Sequence, residues 1–304
     1  MCSTSLSTAI FLAIQNFTVP LEHPYFSNPT LCTYHYYRGI DFLNDKAFVR
    51  AHRALQASYD LCHPTFLRHR RKILIPLLAT SVIVGRFPSA ELIGRPEAEG
   101  LRDLFYPLCR AIAKGDFRAF RVAMGIEGAD RWKAEWWEQH RLFRLLEDRT
   151  NVLIWRSLVR KVYLLTSTPG QKQPIVKIDD LWACAVALHR KAPQDIDQDE
   201  VRLLRTNAQI DPWAVADPTS WWSGGVKLGK DQVEGVVMSL LDQRLIRGYM
   251  ARQNGSTLLV LGKQDPVPAV WGVCSQQSLE EVKTVGPVGG GRVVRLSGVK
   301  AIGE

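Results

Sequence analysis

The chain has 304 residues, 46% hydrophobic and 23% charged, which suits a soluble globular protein of one large or two ordinary domains. A net charge of +9 and a pI near 9.3 direct attention to an acidic partner, either nucleic acid or an acidic protein segment. Six scattered cysteines without a CxxC pair read as reduced core residues of a cytosolic or nuclear protein, and no apolar run approaches a membrane-spanning length.

The first elements are helical. A helix is expected over about 6–17; its apolar run has no basic region ahead of it and makes a poor signal peptide. A connection through Pro20, Pro24 and Pro29 leads to a second helix near Thr33. Over 38–62, Ala47, Ala51, Ala54 and Leu55 recur at helical spacing, and small residues on one face let a neighbouring helix approach closely. His63-Pro64 ends that helix. The next, over 66–84, begins basic and continues apolar, with Pro76 expected to kink it. Gly85-Arg86-Phe87-Pro88 is a turn, and further helices follow at about 89–93, 98–114, 117–124 and 134–147. Residues 1–150 therefore read as antiparallel helix pairs with short links, a helical-hairpin (TPR-like) solenoid.

Near Asn151 the character changes. Ile154, Leu158, Val162 and Leu165 form one apolar stripe of a helix, and Trp155, Val159 and Tyr163 an adjoining one, which leaves Arg156, Arg160 and Lys161 outside. Ile175-Val176-Lys177-Ile178 is a short strand, and Asp179 or Asp180 caps a helix over 181–190. An insertion over about 203–230, with Trp213, Trp221, Trp222 and Gly224-Gly225, either docks back on the core or marks a partner surface. Then Val233, Val236, Val237, Leu240 and Leu241 fall at i, i+3, i+4, i+7 and i+8, one face of a helix that Gly248 ends. Two strands, 248–252 and 256–261, are joined through Gln253-Asn254-Gly255, and Asn-Gly suits a tight hairpin because both residues tolerate positive φ. Helix, strand, helix, helix, hairpin is the order of a winged helix, here 151–262. Residues 263–304, with Pro266, Pro268, Pro287 and a Gly289-Gly290-Gly291 run, read as a disordered tail.

Catalytic and metal motifs are missing: no HExxH, no GxSxG and no G-x4-GK[ST] occurs, so no catalytic residue, metal ligand or cofactor is assigned. Basic groups carry more information. Arg68, Arg70, Arg71 and Lys72 crowd one helix start, Arg156, Arg160 and Lys161 line the first winged-helix helix, and Lys227, Lys230, Arg244 and Arg247 flank the third. Such groups neutralise phosphates without reading bases, although each is equally a solvated face. The polar side of the third helix offers Gln232, Glu234, Ser239 and Asp242, and two carboxylates argue against a recognition helix in a major groove.

Several motifs occur in order: Tyr36-Tyr37-Arg38-Gly39, Asp60-Leu61-Cys62-His63-Pro64, Arg70-Arg71-Lys72-Ile73-Leu74-Ile75-Pro76, Gly85-Arg86-Phe87-Pro88, Trp155-Arg156-Ser157-Leu158-Val159-Arg160-Lys161-Val162-Tyr163, Asp197-Gln198-Asp199-Glu200-Val201 and Leu245-Ile246-Arg247-Gly248-Tyr249. Together they resemble the PCI-domain family, in its branch of PCI-domain-containing protein 2 and the signalosome-subunit-12-like proteins, over about residues 34–261. The 202–230 segment interrupts what that family has as a nearly continuous helix. The chain also starts deep in the family's helical repeats, so an N-terminal part of the solenoid is expected to be missing.

The resemblance implies a non-enzymatic nuclear scaffold, nuclear-pore associated and also cytoplasmic, of the transcription-and-export complex 2 that couples transcription to messenger-RNA export. Its implied partners are a second PCI subunit of the GANP type, a small acidic disordered subunit of the Sem type, and RNA or DNA, with no membrane. Arg156, Arg160, Lys161, Lys227, Lys230, Arg244 and Arg247 are the candidates for a nucleic-acid platform, and Tyr249, Leu258 and Val260 for the partner contact. A signalosome-subunit-12-like role in transcription elongation or splicing, or a stand-alone winged-helix DNA-binding regulator, are the alternatives.

Overall fold

The computed structural model describes residues 26–128, 130–166, 174–189, 228–253, 255–262 and 264–284. The helix expected over 6–17, the acidic motif at 197–201, most of the 203–230 insertion and the end of the chain lie outside these.

The helical half opens with α1 (Asn28–Asn44), α2 (Phe48–Leu61) and α3 (Leu67–Ile83). Ala51 and Ala54 are buried on α2, as the small-residue spacing predicts. Gly39 of α1 allows close approach from the other side: a Cβ there would lie 2.6 Å from Leu55 Cγ. From Ile73 to Ile83 every residue of α3 is buried, so this helix is apolar on all sides and has helices around it. Pro76 lies inside this one continuous helix.

A short α4 (Ala90–Ile93) and a 3-10 turn (Pro96–Ala98) follow, fastened from within. Glu97, 5% exposed, accepts from Tyr59 Oη at 2.5 Å and Arg70 Nε at 2.9 Å, while Arg70 also donates to the Cys62 carbonyl at 2.7 Å. Burial alone would raise the Glu97 carboxyl, but the bonds from Tyr59, its own backbone and Arg70 hold it below its ordinary value. Then come α5 (Arg102–Lys114), α6 (Phe117–Met124) and α7 (Arg131–Gln139). Gly115 ends α5 at φ +65, and a Cβ there would meet the Leu158 nitrogen at 2.7 Å. Asp116 then caps α6 by accepting from the Ala119 N–H at 3.0 Å.

The next helix, α8 (Phe143–Thr166), is 24 residues long and buries Leu146, Leu153, Ile154, Trp155, Leu158, Val159 and Val162. The expected domain boundary at 150/151 runs through its middle, so the division into 1–150 and 151–262 is corrected: α8 is the last helix of the first half and the first of the second. Sequence reading breaks it because Glu147-Asp148-Arg149-Thr150-Asn151 is polar. Thr150, however, is fully buried and its hydroxyl donates to the Leu146 carbonyl at 2.6 Å, inside the helix.

Beyond it lie β1 (Ile175–Lys177), α9 (Ile178–His189), α10 (Lys230–Asp242), β2 (Gly248–Gln253) and β3 (Ser256–Leu261). The strands make an antiparallel sheet in the order β1-β3-β2, with Val176 opposite Leu259 and Tyr249 opposite Val260. Helices α8, α9 and α10 cover one face of it, and the fold is mainly α with a C-terminal winged helix, as read from the sequence. Val233, Val237 and Leu240 of α10 are fully buried, and Val236 and Leu241 pack beside them.

The tail assignment is corrected in part. Residues Val270–Thr284 form a helix, α11, that returns to the first half. Gly85 (φ +78) presses on Val270, where a Cβ would lie 2.5 Å from Val270 Cβ; the Arg86 guanidinium sits 4.7 Å above the Trp271 ring, and His52 meets that ring edge-on. Sequence reading misses α11 because Pro266 and Pro268 precede it and the glycine run follows. Residues 285–304 lie outside the described residues. One contiguous hydrophobic core runs from Leu55 to Val273 and includes both halves. Among the described residues, no helix is long and apolar enough to cross a membrane.

Candidate docking face and nucleic-acid interface

Strand side chains alternate between faces. Val176, Leu259 and Leu261 point inward to the common core. The opposite face therefore carries Ile175 and Lys177 from β1, Leu258 and Val260 from β3, and Tyr249 and Ala251 from β2. Tyr249 is 57% exposed, Leu258 half-buried, and Val260 buried between its strand neighbours. The three residues expected at a partner contact thus share one outward, mostly apolar face. Ile175 and Ala251 belong to it as well. Sequence reading misses them because only the register shows that they flank Val260 and Leu258.

The hairpin turn includes Gly255 at φ +77, in the left-handed region that Asn-Gly turns require. Asn254 lies outside the described residues.

Not all of the basic candidates face solvent. Arg156 is the clearest departure. Its guanidinium turns inward and donates to the Val267 and Pro268 carbonyls at 3.2 and 2.5 Å, while its Nε is buried without a partner among the described residues. Burial, then the nearby Arg160 charge, pushes its pKa down. Arg156 clamps the loop leading into α11, and the expectation that it faces phosphates is corrected. Sequence reading leaves it outside because α11, which covers it, is not foreseen.

Arg160 and Lys161 are exposed on the same helix. Lys230 pairs with Asp179 and lies 5.6 Å above the Trp182 ring, joining α9 to α10. Arg247 is an exposed side chain 3.7 Å from Asp265, and its main chain bonds Pro266 and Gly262. Arg244 is exposed in the turn after α10, at φ +57. Lys227 lies outside the described residues.

The polar side of α10 is not built to read bases. Gln232 accepts from the Gly229 N–H at 3.1 Å and so caps the helix, Glu234 pairs with Arg252 of the wing, and Asp231 and Asp242 are exposed. In the helical half, the Arg68–Lys72 run divides: Arg70 is buried on Glu97, whereas Arg68, Arg71 and Lys72 line a cleft. Among the described residues, no group of three His, Cys, Asp or Glu side chains is placed to hold a metal ion.

No protein-family model matches the chain. Among curated proteins it is 28% identical, over 78% of its length, to a PCI domain-containing protein of Schizosaccharomyces pombe. It is 27% identical over 78% to PCI domain-containing protein 2 of Danio rerio, and 25% identical over 88% to a protein CSN12 homolog of Gibberella zeae. These alignments cover 43%, 46% and 51% of the three relatives, so the chain spans about half the length of the curated relatives it matches. The branch that its own motifs resemble, that of PCI domain-containing protein 2 and the CSN12 homologs, is the branch in which these relatives are found.

Proposed function

We propose that the chain is a non-catalytic subunit of a nuclear complex that couples transcription to messenger-RNA export, docked to a second PCI-domain subunit of the GANP type through its winged helix. The observation that carries this reading is the open outer face of the sheet. Tyr249 stands exposed beside Ile175, Leu258 and Val260, an aromatic anchor set among aliphatic neighbours as interface centres require. The names of the relatives support membership of a multi-subunit assembly. The positive surplus suits a small acidic subunit of the Sem type and nucleic acid as further partners, the latter across Arg160, Lys161 and Arg244. A nuclear location, at the pore, with a cytoplasmic pool, follows from that role.

A signalosome-subunit-12-like role is the second reading, favoured by the CSN12 homologs of Gibberella zeae and Neurospora crassa. A stand-alone DNA-binding regulator is disfavoured, because the exposed side of α10 is acidic and its Gln232 is engaged in capping.

Both assembly readings are tested by purifying the endogenous complex and identifying its subunits. Tyr249→Asp with Leu258→Asp is expected to release the second PCI subunit while leaving the melting temperature within a few degrees, since the outer face contributes little to the core. Retention of that subunit by the double variant places the contact elsewhere.

A further inference from the structure

We infer that the cleft between α1, α3 and the start of α8 binds the sugar-phosphate backbone of single-stranded nucleic acid. This deepens the nucleic-acid part of the reading above and rests on it, but it uses a surface at the opposite end of α8 from Arg160 and Lys161.

The cleft measures about 760 Å³, within the range of ligand sites. Lys46, Arg68, Arg71, Lys72, Arg141 and Arg144 line it against one carboxylate, Asp148. Arg71 donates to the Glu97 and Glu99 carbonyls at 3.1 and 2.6 Å, neutral acceptors that leave its charge uncompensated. Among the described residues, none of the other five cations makes an ion pair.

Two further features add positive potential to the cleft. Arg68 and Arg144 are each the second residue of a helix, and neither α3 nor α8 has an acidic residue in its first turn. The positive end of a helix dipole favours anions, so a phosphate at either end would be stabilised by the dipole as well as by the arginine. Lys46 and Arg141, at φ 60 and 56, are the left-handed caps that end α1 and α7 in the two turns that bound the cleft: the Lys46 and Ala47 N–H groups donate to the Leu43 and Phe42 carbonyls, and those of Arg141 and Leu142 to the Glu138 and Trp137 carbonyls. These caps set two more cations on the cleft.

The flat rings favour a strand over an acidic peptide. Tyr36 lines the cleft, with the Lys72 ammonium 5.6 Å from its centroid, and His140 lies on Trp136 with centroids 4.0 Å apart. Cations that track a backbone, beside rings on which bases stack, are what sequence-tolerant strand binding uses.

The test is fluorescence anisotropy of the full chain with a labelled 15-residue oligouridylate and its oligothymidylate counterpart, over a series of salt concentrations. Arg68→Glu with Arg144→Glu is expected to weaken binding at least tenfold and to lower the salt slope by about 1.4, two single-strand phosphate contacts. Circular dichroism melts confirm folding, and Lys46→Gln with Arg141→Gln, a milder pair, is expected to act in the same direction. Arg160→Glu with Lys161→Glu reports the winged-helix platform in the same assay, and co-purification reports subunit pairing. Absence of a second PCI subunit from the purified wild-type complex, with cleft-dependent binding intact, refutes the assembly reading and leaves the cleft standing. Wild-type affinity and slope in both cleft variants overturn this inference. So does loss of polyglutamate binding with strand binding untouched, which would assign the cleft to an acidic protein segment.

Discussion

At the scale of single residues, buried polar groups do most to tie distant parts together. His52, 6% exposed, shares a hydrogen bond with Ser81 at 3.2 Å and packs against Trp271. Burial, then the charges of Arg86 and Arg53, pushes its pKa down to about 4. An unfolded histidine titrates near 6.5, so between those values the unfolded chain binds the proton and the folded one does not. Stability is therefore expected to fall as pH drops through 6.5, with this loss complete below about 4. Urea unfolding at pH 7 and pH 5 checks it: His52→Gln should show a shallower decline than the wild type, and equal declines would remove His52 from the account. Residue spacing places His52 within a helix but cannot show its burial, because the ring that covers it comes from more than 200 positions further on.

At the scale of elements, most of the fold was legible. Alanines at helical spacing place α2, although the helix read over 38–62 is two, broken at 45–47 where Lys46 caps α1, and the valine–leucine stripe places α10. Each of these signals is local, carried within one or two turns of chain. What escaped is settled by distant contacts. The polar stretch through Thr150 stays helical because the rest of α8 is packed on both halves, and α11 holds because Val270 and Val273 reach the shared core. The same cause limits the candidate site. The outward set Tyr249, Leu258 and Val260 follows from alternation, whereas Arg156 was misjudged because a later segment covers it. Val273→Asp places an unpaired charge 5% exposed against the core, and is expected to cost about 3 kcal/mol or more. Chemical denaturation measures this; an unchanged midpoint would mean that α11 is not docked in solution.

At the scale of the molecule, the helical half and the winged helix are not separate bodies. Both feed one core, and α8 belongs to both. Thermal unfolding by calorimetry is accordingly expected to show one transition, with calorimetric and van't Hoff enthalpies agreeing. Two resolved transitions would mean that the halves melt independently.

That long α8 helix also acts as a ruler. Sixteen residues separate Arg144 at its beginning from Arg160 near its end, and at about 1.5 Å per residue the two lie about 24 Å apart along the axis. A rod cannot shorten, so any single oligonucleotide touching both must exceed a minimum length. Below that threshold the two contacts act as separate weak grips; above it, they engage in tandem.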